Sequence, residues 1–265
     1  MKDLTNLLGF DVKMISKSEL EFGDGIDKTK PDKRFLDDLK GLTYDRKLKL
    51  IHSPIYYMYR DRHEKKDEAA IRKYKVRYDI TLIPPRMIGE EFIKTSGHFH
   101  PEKKGTGIAY PEVYEVISGQ ATYLLIGSVL PYDKVTEAYL CTVEAGEKAI
   151  MPSGYGHVTI NLIDEPLLMT NWVAEEFSSD YGPIIEYHGA SHFLIKDSPY
   201  KIVENTKWGE LPEIKIVKPK SLPKFALEFG KPMYQQALNN MEKLDYLVNP
   251  EKYLEEIKPS KVFAY

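Results

Sequence analysis

The chain has 265 residues, a single cysteine (Cys141) and a net charge of −3 at pH 7, from 37 basic against 40 acidic residues. That balance offers no basic surface for nucleic acid and no polybasic patch for a membrane. One cysteine excludes an intrachain disulfide and suits a reducing cytoplasm, and the length allows one large domain or a domain with an appendage.

The N-terminal region carries Asp3 and no long apolar run, so no signal peptide is expected. No stretch reaches the roughly 18 apolar residues of a spanning helix, and a cytoplasmic protein is expected. Residues 1–30 are polar and punctuated by glycine, which predicts a strand or two plus loop. Leu36, Leu39 and Leu42 recur every third residue and predict a short helix broken near Gly41. The charge run from Arg60 to Glu68 reads as a solvated turn between strands, with His63 exposed inside it.

From Tyr74 the pattern is that of strands. Residues 75–83 alternate in part and end at Pro84-Pro85, which no central strand can pass. Residues 87–95 lead into Thr95-Ser-Gly-His-Phe-His100. The apolar runs 112–117 and 121–126 flank Ser118-Gly119-Gln120, a hairpin pattern. Runs 138–143 and 147–151 flank the turn Glu144-Ala145-Gly146, and Cys141 is read as a buried strand residue. Runs 157–162 and 166–173 follow. Short strands at near-regular spacing, with glycine and proline turns, predict an all-β barrel or sandwich. After about Pro212 the character changes. Met233, Ala237, Leu238, Met241, Leu244 and Leu247, then Tyr253, Leu254 and Ile257, recur at helical spacings. They predict two helices divided at Asn249-Pro250, an arm packed on the barrel or on a second subunit, with a lid over the site as the alternative.

The chemistry lies in three places. His98 and His100 stand two apart, which on a strand puts both imidazoles on one face, about 6–7 Å apart. Glu112 opens an apolar strand that ends at Gly119. His157 follows in the stretch from Gly146 to Asn161. Three imidazoles and a carboxylate suit Fe(II), Mn(II), Ni(II) or Zn(II). Such a donor set serves a dioxygenase, an isomerase or a binding protein equally well. The last stretch fits the second cupin motif at Gly146, Pro152, Gly154, His157 and Asn161; the first stretch fits the first motif, with a longer gap between His100 and Glu112.

Beyond the cupin pair, the chain resembles the archaeal-type cupin-fold glucose-6-phosphate isomerases from about Arg34 to Trp208. The resemblance rests on Thr95-x-Gly-His-Phe-His100, Glu112-Val-Tyr114, Pro152 with His157-x-Thr-x-Asn161, Asp164-Glu-Pro166 and Asp180-Tyr-Gly182. It implies an all-β cupin, a double-stranded β-helix or jelly-roll barrel, with a short N-terminal α/β segment. On that basis residues 1–215 form the isomerase domain and 216–265 a helical C-terminal extension. It implies metal ligands His98, His100, Glu112 and His157, and phosphate contacts from Thr81, Thr95 and Gly97. Tyr57, Tyr114 and Tyr181 are implied to line the sugar site, with Tyr56 and Tyr59 competing for the first position; a further family tyrosine falls at Val173. It also implies aldose–ketose isomerisation of a sugar phosphate and a homodimer, with Glu112 as the base in an enediolate route or a base-free hydride shift instead. An Fe(II)-dependent oxygenase and a non-catalytic sugar-phosphate sensor are the other readings. His188 and His192 read as surface or packing residues.

Overall fold

Between residues 112 and 174 the chain crosses repeatedly from one β-sheet to another, and those crossings set the architecture of the computed structural model, which describes residues 1–128 and 132–265. One sheet is six-stranded and antiparallel throughout. Its order is Lys148–Met151, Glu112–Ser118, Leu167–Ala174, Val76–Ile83, Pro54–Tyr59, Asp32–Phe35. The second runs Tyr155–Ile160, Gln120–Ser128, Val135–Glu144, Ile214–Pro219, Phe263–Ala264. In it Ile214–Pro219 lies parallel to Val135–Glu144. Side chains of both sheets meet in one core that includes Tyr123, Leu125, Tyr139 and Met169. Two sheets sharing a core, with strands passing alternately between them, make the cupin jelly roll.

The turn at Ser118-Gly119-Gln120 does not close the hairpin that its flanking apolar runs predict. Glu112–Ser118 pairs with Lys148–Met151 and Leu167–Ala174, whereas Gln120–Ser128 pairs with Val135–Glu144 and Tyr155–Ile160. Gly119 has φ 81°, and a Cβ there would lie 2.7 Å from the Pro166 carbonyl oxygen. The chain therefore turns a corner between sheets. A corner and a hairpin share one sequence pattern, apolar run, glycine, apolar run.

The six-stranded sheet has two working faces. Tyr78 and Trp172 on its back pack against Phe10 from the N-terminal segment and Tyr234 from the C-terminal arm, with ring centroids 4.8–6.2 Å apart. The arm is anchored by charge as well. Glu115 accepts from the Met233 backbone N–H at 2.9 Å and pairs with Lys148 at 2.8 Å, both side chains buried. The arm comprises the short helices Met233–Leu238, Asp245–Val248, Leu254–Ile257 and Pro259–Val262, with 3₁₀ turns at Met241–Leu244 and Pro250–Lys252. The expected division at Asn249-Pro250 is present, but so is a break at Asn239-Asn240. Asparagine side chains compete for backbone hydrogen bonds and end helices early.

Two local expectations also shift. Leu36–Leu39 is a single 3₁₀ turn, its entry held by Asp38 accepting from the Phe35 N–H at 2.8 Å. The 60–68 charge run is solvated only in its second half, at Lys65, Lys66 and Glu68. Arg62 is buried, bonded to Asp27 and to the Thr29 carbonyl at 2.7 Å each, and it lies over the Phe22 and Tyr59 rings. His63 is only 11% exposed. A planar guanidinium covers aromatic faces while keeping its donors paired, so a charged run can be interior. Among the described residues no helix is long and apolar enough to cross a membrane.

Candidate metal centre

The segment carrying the histidine pair lies along the edge of the second sheet. His98 and His157 exchange backbone hydrogen bonds at 3.2 and 3.0 Å, while Phe99 does the same with Asp180 at 2.8 and 2.9 Å. This clamps the extended segment on both sides, so the alternation of a strand holds and the His98 and His100 rings stack, centroids 5.2 Å apart. Gly97 makes the close approach possible. Its φ is 77°, and a Cβ would meet the Val158 Cγ2 atom at 2.5 Å.

Glu112 arrives from the six-stranded sheet. One ligand atom from each of His98, His100, Glu112 and His157 lies within 4.8 Å of the others. Glu112 Oε2 is 3.4 Å from His100 Nε2 and 3.6 Å from His157 Nε2. The outer atoms are already committed. His100 Nδ1–H donates to the Tyr110 carbonyl at 2.7 Å, and Asn171 Nδ2 donates to Glu112 Oε1 at 2.6 Å. The inner atoms, His98 Nε2, His100 Nε2 and Glu112 Oε2, are buried without a hydrogen-bond partner among the described residues. Buried polar atoms rarely go unpaired, and ligands oriented from behind with free inner atoms are what a cation requires. Burial, reinforced by the neighbouring histidines, pushes the His98 and His157 imidazoles well below the usual histidine range, so both stay in the neutral, ligating form. The four residues fit a divalent metal ion.

Thr81, Thr95, Gly97, Tyr114 and Tyr181 line the same cavity as His98, Glu112 and His157. Thr95 Oγ1 accepts from the Thr159 N–H at 3.0 Å, which leaves its own proton free to donate. The Tyr114 hydroxyl stands 3.2 Å from His157 Nε2. Tyr57 is not at the wall. It sits opposite Lys33, whose Nζ is 6.0 Å from the ring centroid, and Tyr56 takes the wall position. One step along a strand reverses the face. His192 is buried beside Ser191, and His188 is exposed; neither lines the cavity.

Sequence reasoning missed Arg60, Arg77, Asp79 and Asn171, all at the wall. A signal was present. In Arg77-Tyr-Asp-Ile-Thr-Leu82 the polar residues alternate with apolar ones, and the polar face is the cavity face.

A jelly roll with a three-histidine, one-glutamate cluster lining its cavity belongs to the cupin class. A sequence model of the glucose-6-phosphate isomerase family matches residues 33–208, and the chain belongs to that family. It is 28% identical to the glucose-6-phosphate isomerase of Pyrococcus abyssi over 181 residues, which is 66% of this chain and 86% of that one. With the Pyrococcus horikoshii enzyme the identity is 28% over 197 residues, 72% and 95% of the two chains. Among solved structures, oxalate oxidase in complex with glycolate overlays 48% of this chain and 52% of its own, at a TM-score of 0.33 and 19% identity.

Proposed function

We propose that the protein interconverts glucose 6-phosphate and fructose 6-phosphate as a metal-dependent aldose–ketose isomerase. The observation that carries this is the cluster of unpaired inner atoms on His98, His100 and Glu112 inside the family-matched region. Fe(II), Mn(II), Ni(II) and Zn(II) all suit the donor set. Bound there, such an ion would supply Lewis-acid stabilisation to the oxygens of the open-chain sugar. The residues supply the rest. Thr81, Thr95 and the Gly97 backbone take the phosphate through neutral donors, with glycine permitting the close approach. Tyr114, Tyr181 and, in place of Tyr57, Tyr56 line the sugar. Glu112 is the base. Its Oε1 is held by Asn171, so Oε2, the oxygen that would also face the ion, carries the proton between C1 and C2 once its hold on the ion is relaxed. A homodimer in the cytoplasm is the expected setting.

A coupled assay tests the reading. Fructose 6-phosphate should yield glucose 6-phosphate, turnover should stop with chelator, and it should return with one of the four ions. Persistent inactivity of a metal-loaded protein that still binds the sugar phosphate would favour a sensor, and oxygen uptake with substrate an oxygenase. Glu112→Gln should abolish turnover while substrate still binds. Near-normal turnover in a variant that retains metal would assign the step to a hydride shift.

A further inference from the structure

Arg60 and Arg77 are the two cationic side chains at the described cavity wall. They are not equivalent. Arg60 spends its donors on Asp32 at 3.1 Å, Asp79 at 3.4 Å and the Met58 sulfur at 3.5 Å. Arg77 is held along one edge only. Its Nε reaches both Asp79 oxygens at 2.9 and 3.1 Å and its Nη2 reaches Oδ2 at 2.9 Å, leaving Nη1 with no hydrogen-bond partner among the described residues. Asp79 is itself fixed, since it also accepts from the Asp61 N–H at 2.8 Å, and its side chain is 5% exposed. A guanidinium gripped in this way is aimed before any ligand arrives.

Register places it at the reacting end. Arg77 pairs across the sheet with Val173. Glu112 lies on the other side of Val173, one residue before Val113, the partner of Trp172. Arg77 and Glu112 therefore share a row and a face with one uncharged side chain between them, about 10 Å apart in backbone position. That gap is within reach of an arginine and a sugar carbon chain. Thr81 lies farther along the same face.

We propose that Arg77 is a catalytic residue that donates through Nη1 to the sugar oxygens on which negative charge develops. This rests on the isomerase reading and on its base-mediated route. When Glu112 removes the proton next to the carbonyl, the C–H electron pair becomes the C1–C2 double bond and the carbonyl π pair moves onto oxygen. Returning the proton to the former carbonyl carbon, while the hydroxyl proton of its neighbour passes to the charged oxygen, leaves the new carbonyl on the carbon that was first deprotonated. The oxygen bears a full charge only in between, so a fixed cation beside it favours the reaction more than it favours binding.

The test uses the metal-loaded full chain and two competitive ligands. One is an aldonic acid phosphate, whose carboxylate imitates the charged oxygens; the other is the neutral alditol phosphate of the same length. In Arg77→Met, affinity for the carboxylate ligand should fall about 10- to 100-fold, and affinity for the alditol phosphate should stay within about twofold. On the same variant kcat should fall about 100-fold or more with KM and bound metal little changed. Equal loss of both ligands, or no loss, overturns the proposal and leaves Arg77 as packing for Asp79. Should Arg77→Met not fold, Arg77→Lys, which keeps a charge beside Asp79, should show the same selective loss. A wild-type protein that turns over neither sugar phosphate would instead sink the isomerase reading. An active wild type with unselective loss sinks only the role of Arg77.

Discussion

Asn171 shows how little of the site's behaviour resides in the ligands alone. Its amide fixes one Glu112 oxygen at 2.6 Å and so turns the other towards the histidines. Asn171→Ala should weaken metal binding about 10- to 100-fold without unfolding the chain, as read by competition with a chromophoric chelator; unchanged affinity would mean that Glu112 is oriented by packing. The histidines carry a pH signature. The folded imidazoles of His98 and His157 lie below the unfolded value of about 6.5. Below that value the unfolded chain binds more protons than the folded one, so their contribution is present above it and lost as pH falls. Glu115 works in the opposite direction, because burial raises its carboxyl and its contribution is lost as pH rises. Metal-free protein should therefore lose stability between pH 7 and 5 by guanidinium titration, and a His98→Gln, His157→Gln double variant should lose less. Equal losses in the two proteins would contradict the assignment. The ligands themselves were legible in the sequence because two-residue spacing on a strand has one geometric outcome. The cavity wall was harder to read, since Tyr56 and Tyr57 differ only by which face the strand happens to show.

At the scale of elements, the Glu112–Ser118 strand serves the cavity with one face and the arm with the other. Glu112 and Tyr114 face the cavity; Glu115, on the reverse, receives Lys148 and the Met233 N–H. Lys148→Met should cost about 3–5 kcal/mol, because it leaves a buried carboxylate with no cation, and denaturant unfolding measures it. Restoration by a second change, Glu115→Gln, would show that the loss belongs to the stranded charge. The long connection between His100 and Glu112 has a comparable double duty. Tyr110 accepts from His100, while Lys103 reaches Asn249 at 2.7 Å and Glu251 at 2.8 Å in the arm. The Lys103 ties could not be read from spacing, since they depend on where the arm folds back. The mistaken hairpin at Gly119 has the same origin: a local pattern states that the chain turns, and only the packing partners state which sheet it turns into.

For the whole molecule, the family match ends at residue 208, yet the fold does not. Ile214–Pro219 extends the second sheet and Phe263–Ala264 closes its edge. Met233, Tyr234, Tyr246, Leu247 and Phe263 are all buried in the main core. A chain cut after residue 212 should consequently be insoluble or melt far below the full-length protein, by calorimetry; a truncated chain with native melting would mean that the arm is an accessory. Cys141 sits in this assembly as the lone thiol, paired across the sheet with Tyr123 on one side and Val217 on the other, and fully covered. Burial also raises its thiol well above the usual cysteine range, so it is inert while the sheet is closed. The chain thus comes with a built-in clock. The rate at which a thiol-reactive dye modifies the unaltered protein reports how often the core opens around Cys141, with no label, tag or mutation to disturb what is being timed.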